Sequence, residues 1–130
     1  MKLKLSLAAA ALAAFTLGAQ ADEPDLKKGA KVFKKCKACH VIDKEKNKVG
    51  PHLVGIIGRK AAAAEGYKYS KAMSAKADEG LVWTEEIMLE YLIKPKEYIK
   101  GTKMAFGGLK KEKDRINLVA YLKENAKLAE

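Results

Sequence analysis

The sequence predicts an all-α fold, in which short helices and repeatedly turning loops wrap around one group that is not protein. Three observations predict it. Residues 25–36 and 112–126 carry apolar side chains at helical spacing, and the region between them has little strand character. Residues 50–60, Gly-Pro-His-Leu-Val-Gly-Ile-Ile-Gly-Arg-Lys, hold three glycines and a proline, so the chain must turn there, yet their apolar residues follow neither a helical nor a strand period. The third observation is Cys36-Lys37-Ala38-Cys39-His40, which places two thiols and an imidazole within about one and a half helical turns.

Residues 1–21 read as a secretory leader. Lys2 and Lys4 form its charged start, residues 5–17 an apolar run rich in Ala and Leu, and Ala19-Gln20-Ala21 the small-x-small cleavage site. The run is too short to cross a bilayer, which takes about 20 residues of helix. Cleavage after Ala21 leaves residues 22–130 as one domain outside the cytoplasm, in a bacterium the periplasm. Removing Lys2 and Lys4 from the 26 basic residues leaves 24 against 16 acidic ones, a formal charge of +8. That balance favours an acidic partner, and it excludes little by itself. Nucleic acid does not fit an exported chain whose positive charge is nearly all lysine and which has no Arg-rich recognition helix.

In the first helix, 25–36, Leu26, Ala30 and Phe33 share a face, and Gly29 beside them suits a close approach by another helix. The partner is the last helix, 112–126, with Ile116, Val119, Ala120 and Lys123 in one strip and Leu118, Tyr121 and Leu122 in the next. Between the two come a lysine-rich loop over 43–49, the wrapping stretch 50–60, a turn of helix over 61–64 and an aromatic loop, Gly66-Tyr67-Lys68-Tyr69-Ser70. Thr84 is an N-cap, with Glu85 and Glu86 suited to the helix dipole, for a helix that ends near Ile93 because Pro95 follows. A short helix over 96–99 leads into a glycine-punctuated loop, 100–108, with Met104 in its middle.

C-x-x-C-H is the spacing of covalent haem attachment. Two cysteines at a helix end reach the two vinyl-derived positions along one edge of the ring, thioether bonds form, and His40 lies beneath the iron. Three other readings use the same residues. A dithiol redox pair expects a βαβ surround that this chain lacks; half of a zinc site lacks a second cysteine pair and has only His52 as a further histidine; the third is a chance match. Met104 can be a gap-filler, but an iron held by His40 has an open opposite face, for which a thioether is the common ligand in electron carriers.

In order and spacing the chain resembles a class I cytochrome c, the family of mitochondrial cytochrome c and its soluble bacterial relatives. The resemblance covers nearly all of residues 22–130: Gly29 and Phe33, Cys36 to His40, Gly50-Pro51, Gly58-Arg59-Lys60, Tyr67 to Ser70, Trp83, Tyr91-Leu92, Pro95, Tyr98-Ile99, Gly101 to Phe106, and Tyr121-Leu122. It implies the class I cytochrome c fold around one haem c bound through Cys36 and Cys39, with His40 and Met104 on the iron. It further implies that the Pro51 carbonyl accepts the second imidazole N–H of His40. Arg59, Tyr69, Ser70 and Trp83 are then expected at the haem propionates, Tyr91 and Thr102 near Met104, and Phe106 over the haem edge; Trp83 as a plain core residue is the alternative. Two positions depart from the pattern. His52 stands where many relatives have asparagine, on the side already held by His40, and Met73 where mitochondrial relatives often place an asparagine above the haem. Residues 72–81 are also slightly longer than their mitochondrial counterpart, and Met88 reads as core.

The function this implies is not enzymatic: it is a one-electron shuttle, soluble and monomeric. Its partners are expected to be a membrane quinol-oxidising cytochrome bc-type complex as donor and a terminal oxidase, peroxidase or photosynthetic reaction centre as acceptor. Lys34, Lys37, Lys48, Lys94, Lys103 and Lys110 are expected to ring the haem edge and meet acidic faces of those partners. The alternatives are a haem subunit of a larger redox enzyme and a gas-binding or peroxidatic haem protein, the latter needing a vacant or displaceable sixth ligand.

Overall fold

The computed structural model describes residue 11 and residues 23–130, so the expected leader and its cleavage after Ala21 lie outside the described residues, apart from that one position. Among the described residues five helices follow one another: α1 (Leu26–Phe33), α2 (Lys71–Asp78), α3 (Glu85–Tyr91), α4 (Pro95–Tyr98) and α5 (Glu112–Asn125). Among the described residues there is no strand, only an isolated antiparallel bridge between Lys60 and Val82. No helix among them is long and apolar enough to cross a membrane.

The frame is the contact of α1 with α5. Asp25 caps α1 by accepting from the Lys28 N–H, while its own N–H donates to Asn117 Oδ1 at 2.9 Å, so a side chain of α5 fixes where α1 starts. The backbones nearly touch there. A Cβ on Gly29 would overlap the Asn117 carbonyl oxygen and lie 2.7 Å from Tyr121 Cβ. Phe33 packs on Tyr121 with ring centroids 5.6 Å apart. The buried face of α1 is Gly29, Val32 and Phe33, whereas Leu26, expected on it, is 43% exposed. Leu26 lies in the first turn, beyond the crossing point. On α5 the buried residues are Asn117, Leu118, Val119 and Leu122; Ile116 and Ala120 are half-buried.

The middle of the chain corrects three expectations. Residues 61–64 form no helix: a turn at 61–62 places Ala62 in the left-handed region at φ 55°, which a right-handed helix cannot contain. Residues 71–78, to which the sequence assigns no element, form α2, capped by Ser70 Oγ accepting from the Met73 N–H at 3.0 Å. α3 starts as expected, with Thr84 Oγ1 accepting from the Ile87 N–H, but ends at Tyr91, two residues before Ile93. α4 begins at Pro95 itself, where a missing N–H costs nothing. Helices α3, α4 and α5 close over Ile99 and Leu118, each 1% exposed, and the loops 41–70 and 100–110 complete the molecule around a central cavity.

Candidate haem site

The cavity measures ≈ 510 Å³ and is lined mainly by apolar side chains, among them Phe33, Ile56, Trp83, Met88, Leu92 and Leu122. After α1 the chain tightens into successive i→i+3 turns, Cys36 N–H to Phe33 O at 2.8 Å and Cys39 N–H to Cys36 O at 3.1 Å, which bring Cys36, Cys39 and His40 to the wall together. The two cysteines form no disulfide, and both are half-buried. Burial pushes the Cys36 thiol up to about 11, the opposite of the lowered value a dithiol nucleophile needs. Among the described residues no group of three or more His, Cys, Asp and Glu could hold a metal ion.

His40 Nδ1 lies 2.7 Å from the Pro51 carbonyl. A carbonyl only accepts, so the proton is on Nδ1 and the lone pair on Nε2, ready to bind a metal. Burial holds the ring below the ordinary histidine range, against the Pro51 bond, and so keeps it neutral. Gly50 makes the arrangement possible: any Cβ there would stand 2.5 Å from His40 Cε1.

Met104 reaches the same cavity from the loop 100–108. The Tyr91 hydroxyl donates to its sulfur at 3.2 Å, and the Met104 N–H donates to Thr102 Oγ1 at 3.4 Å. Burial raises Tyr91 to about 12, opposed by a hydrogen bond from Thr102, so the phenol stays a donor at neutral pH. Thr102, Tyr91 and Met104 thus form one connected group. Met73 and Phe106 also line the cavity, and Trp83 packs beside Tyr91 with centroids 4.7 Å apart.

The polar part of the wall suits an anion. Arg59 Nη1 donates to the carbonyls of His52 and Val54, both at 3.0 Å, while Arg59 Nε is buried without a partner. The hydroxyl of Tyr69 accepts from the Ala64 N–H at 2.9 Å and that of Ser70 from the Met73 N–H, leaving both hydroxyl protons to donate. His52 does not line the cavity.

These residues fit a covalently attached haem: two thiols beside an imidazole of fixed tautomer, a thioether in the same apolar cavity, and an orphaned guanidinium N–H with two hydroxyl donors for carboxylates. Residues 26–126 match the family described as Cytochrome c. The chain belongs to the cytochrome c family. It is 52% identical over 105 residues to cytochrome c of Gibberella zeae, covering 79% of this chain and 96% of that one. Against cytochrome c of Arabidopsis thaliana it is 50% identical over 105 residues, 79% of this chain and 91% of that one. Among solved structures it is similar to cytochrome cH from Methylobacterium extorquens, with TM-score 0.69, 42% identity, and coverage of 76% of this chain and 97% of that one. Cytochromes c carry one covalently bound haem c and are electron carriers, not enzymes.

Contacts that the sequence did not signal hold this cytochrome c's loops together. Asn47 Oδ1 accepts from the His52 N–H at 3.0 Å and its Nδ2 donates to the Glu65 carbonyl at 2.8 Å. Lys103, expected in the lysine ring, places its ammonium 5.2 Å from the Tyr67 ring centroid and donates to the Lys68 carbonyl, strapping the Met104 loop to the aromatic loop. The other five lysines of that ring are exposed as well.

Proposed function

We propose that this cytochrome c is an exported, monomeric carrier, cleaved after Ala21 and working in the periplasm with His40 and Met104 as the iron ligands. It moves single electrons from a quinol-oxidising cytochrome bc-type complex to an oxidase, peroxidase or photosynthetic reaction centre. The leader pattern supports the location, since attachment of haem to Cys36 and Cys39 takes place after export. The observation that carries the ligand reading is that the imidazole and the thioether line one cavity, each held by its own hydrogen bond, the first to the Pro51 carbonyl and the second from the Tyr91 hydroxyl.

The bound haem supplies a reversible ferric–ferrous couple. The protein's own groups do the rest. His40, with its proton tied to Pro51, keeps Nε2 as a donor. The Tyr91 proton on the Met104 sulfur draws electron density away from it. That and the apolar wall disfavour the extra positive charge of the oxidised state, which sets a high potential. Pinning both side chains keeps their positions the same in the two oxidation states, so little reorganisation accompanies transfer. Lys34, Lys37, Lys48, Lys94 and Lys110 supply the positive surface for acidic faces of the partners.

Visible absorption and magnetic circular dichroism of the purified holoprotein test this reading, alongside Met104→Ala. The ferric wild type is expected to give a sulfur-to-iron charge-transfer band that the variant lacks. A wild type without that band, or one that binds carbon monoxide readily when reduced, would overturn it.

A further inference from the structure

We infer that the His52 ring, set against the Arg59 guanidinium, tunes the redox centre, and that protonating it raises the potential. The inference rests on the reading of His40 and Met104 as ligands of a redox iron. It starts from a count: the chain has two histidines, and with His40 on the metal His52 is the one imidazole left to titrate.

His52 is only 7% exposed and off the cavity wall, and it is bonded through its N–H, its carbonyl and Nδ1. Its N–H is held by Asn47 and its carbonyl accepts from Arg59 Nη1 at 3.0 Å. Its Nδ1 accepts from the Val54 N–H at 3.2 Å and lies 3.5 Å from Arg59 Nη1. An Nδ1 that accepts carries no proton, so the ring is neutral with its hydrogen on Nε2. Arg59 Nη1 has two hydrogens, both spent on the carbonyls of His52 and Val54. The remaining contact therefore sets a lone pair against a cation, and it is attractive.

A second proton inverts it. Nδ1–H would then face the Val54 N–H and the Arg59 guanidinium, one hydrogen bond would be lost, and two positive charges would stand side by side. Arg59 stays in place on its two carbonyls, so the net change is one added positive charge behind the guanidinium whose unpartnered Nε would be free to hold a haem carboxylate in the cavity that Arg59 lines. Positive charge disfavours ferric iron, hence the higher potential. Two charged groups face His52: Arg59, which holds its protonation below the ordinary value of 6.5 after burial has lowered it first, and Glu45 of the 43–49 loop, which opposes both. Tyr69 faces Arg59 from the aromatic loop. By linkage the effect is reciprocal, and the oxidised protein must bind this proton more weakly than the reduced one.

The experiment is the midpoint potential of the holoprotein between about pH 4 and 7.5, for wild type and His52→Asn, with the His52 ring followed by NMR in both oxidation states. Asparagine can still accept from an N–H two residues on, and it does not titrate. The wild type is expected to show a one-proton rise on acidification, matched by a ring titration that falls at lower pH in the oxidised form, and the variant is expected to lose the rise. A wave that persists in the variant belongs to the haem carboxylates or to Glu45 and overturns the inference. So does a wild-type ring that titrates identically in both states, a comparison that needs no variant. The sulfur-to-iron band of the same samples separates the two readings: its absence overturns the Met104 ligand, whereas its presence with a flat potential overturns the role of His52 alone.

Discussion

Tyr91 concentrates the chemistry of the site into one hydroxyl. Its proton goes to the Met104 sulfur at 3.2 Å and its oxygen takes the Thr102 hydrogen bond, so the phenol both orients the thioether and weakens it as a donor. Tyr91→Phe keeps the ring that packs on Trp83 and Tyr98 and deletes those two bonds. A lost hydrogen bond costs about 0.5–1.5 kcal/mol net, and Thr102 keeps its bond from the Met104 N–H. The variant is therefore expected to be less stable by about 1 kcal/mol in denaturant and to have a lower midpoint potential, because the sulfur, freed of the proton, donates more strongly to ferric iron. A potential unchanged or raised would show that the hydroxyl does not act on the sulfur. Burial, which holds Tyr91 near 12, makes both effects independent of pH across the neutral range.

Helices α1 and α5 hold the two ends of the chain together, and Gly29 is the point on which their distance depends. Gly29→Ala would drive a Cβ into the Asn117 carbonyl oxygen, a backbone atom that cannot rotate away, so the helices must part. Overpacking of this kind costs about 1–3 kcal/mol, and since the α1–α5 contact also carries Phe33 on Tyr121, the upper end is expected in denaturant unfolding, with the haem bands retained. A stability equal to wild type would refute the close approach. This contact was legible in the sequence because a glycine inside a helical pattern needs a reason, as were the attachment motif, written in five adjacent residues, and the Met104 loop. Other features were not. α2 has no apolar stripe to announce it: Ala72, Met73 and Ala77 are small or half-buried, and Ser70, its cap, sits at the end of an aromatic run that reads as loop. The supports of Arg59 and His52 escape a linear reading for a different reason. They are side chain to backbone bonds between loops, and which carbonyl lies near which side chain is decided by turns at glycines, not by any pattern of hydrophobicity.

At the scale of the whole molecule the haem is the core. Phe33, Ile56, Trp83, Met88, Tyr91, Leu92, Leu118 and Leu122 belong both to the buried core and to the cavity wall, so the side chains that should hold the elements together would pack on a haem in that cavity as well as on one another. At about 24 cal/mol per Å³, leaving 510 Å³ unfilled costs at most about 12 kcal/mol, against about 5–15 kcal/mol for the whole stability of a domain. The loops suffer most. Residues 41–70 hold no helix, and apart from the pairing of 58–61 with 81–83 around the Lys60–Val82 bridge, their bonds to the rest of the chain, such as Gly55 N–H to Ala126 O at 2.7 Å, are isolated contacts, too few to order so long a segment. The haem-free chain, prepared as Cys36→Ala/Cys39→Ala, is thus expected to lose most of its far-ultraviolet helical signal and its cooperative thermal transition. A haem-free chain with the helix content of the holoprotein and a sharp melt would show that the protein packs without its cofactor. The two cysteines would then be needed only to keep the haem from leaving, whereas an unfolded chain means that attachment through Cys36 and Cys39 is also what makes the fold permanent.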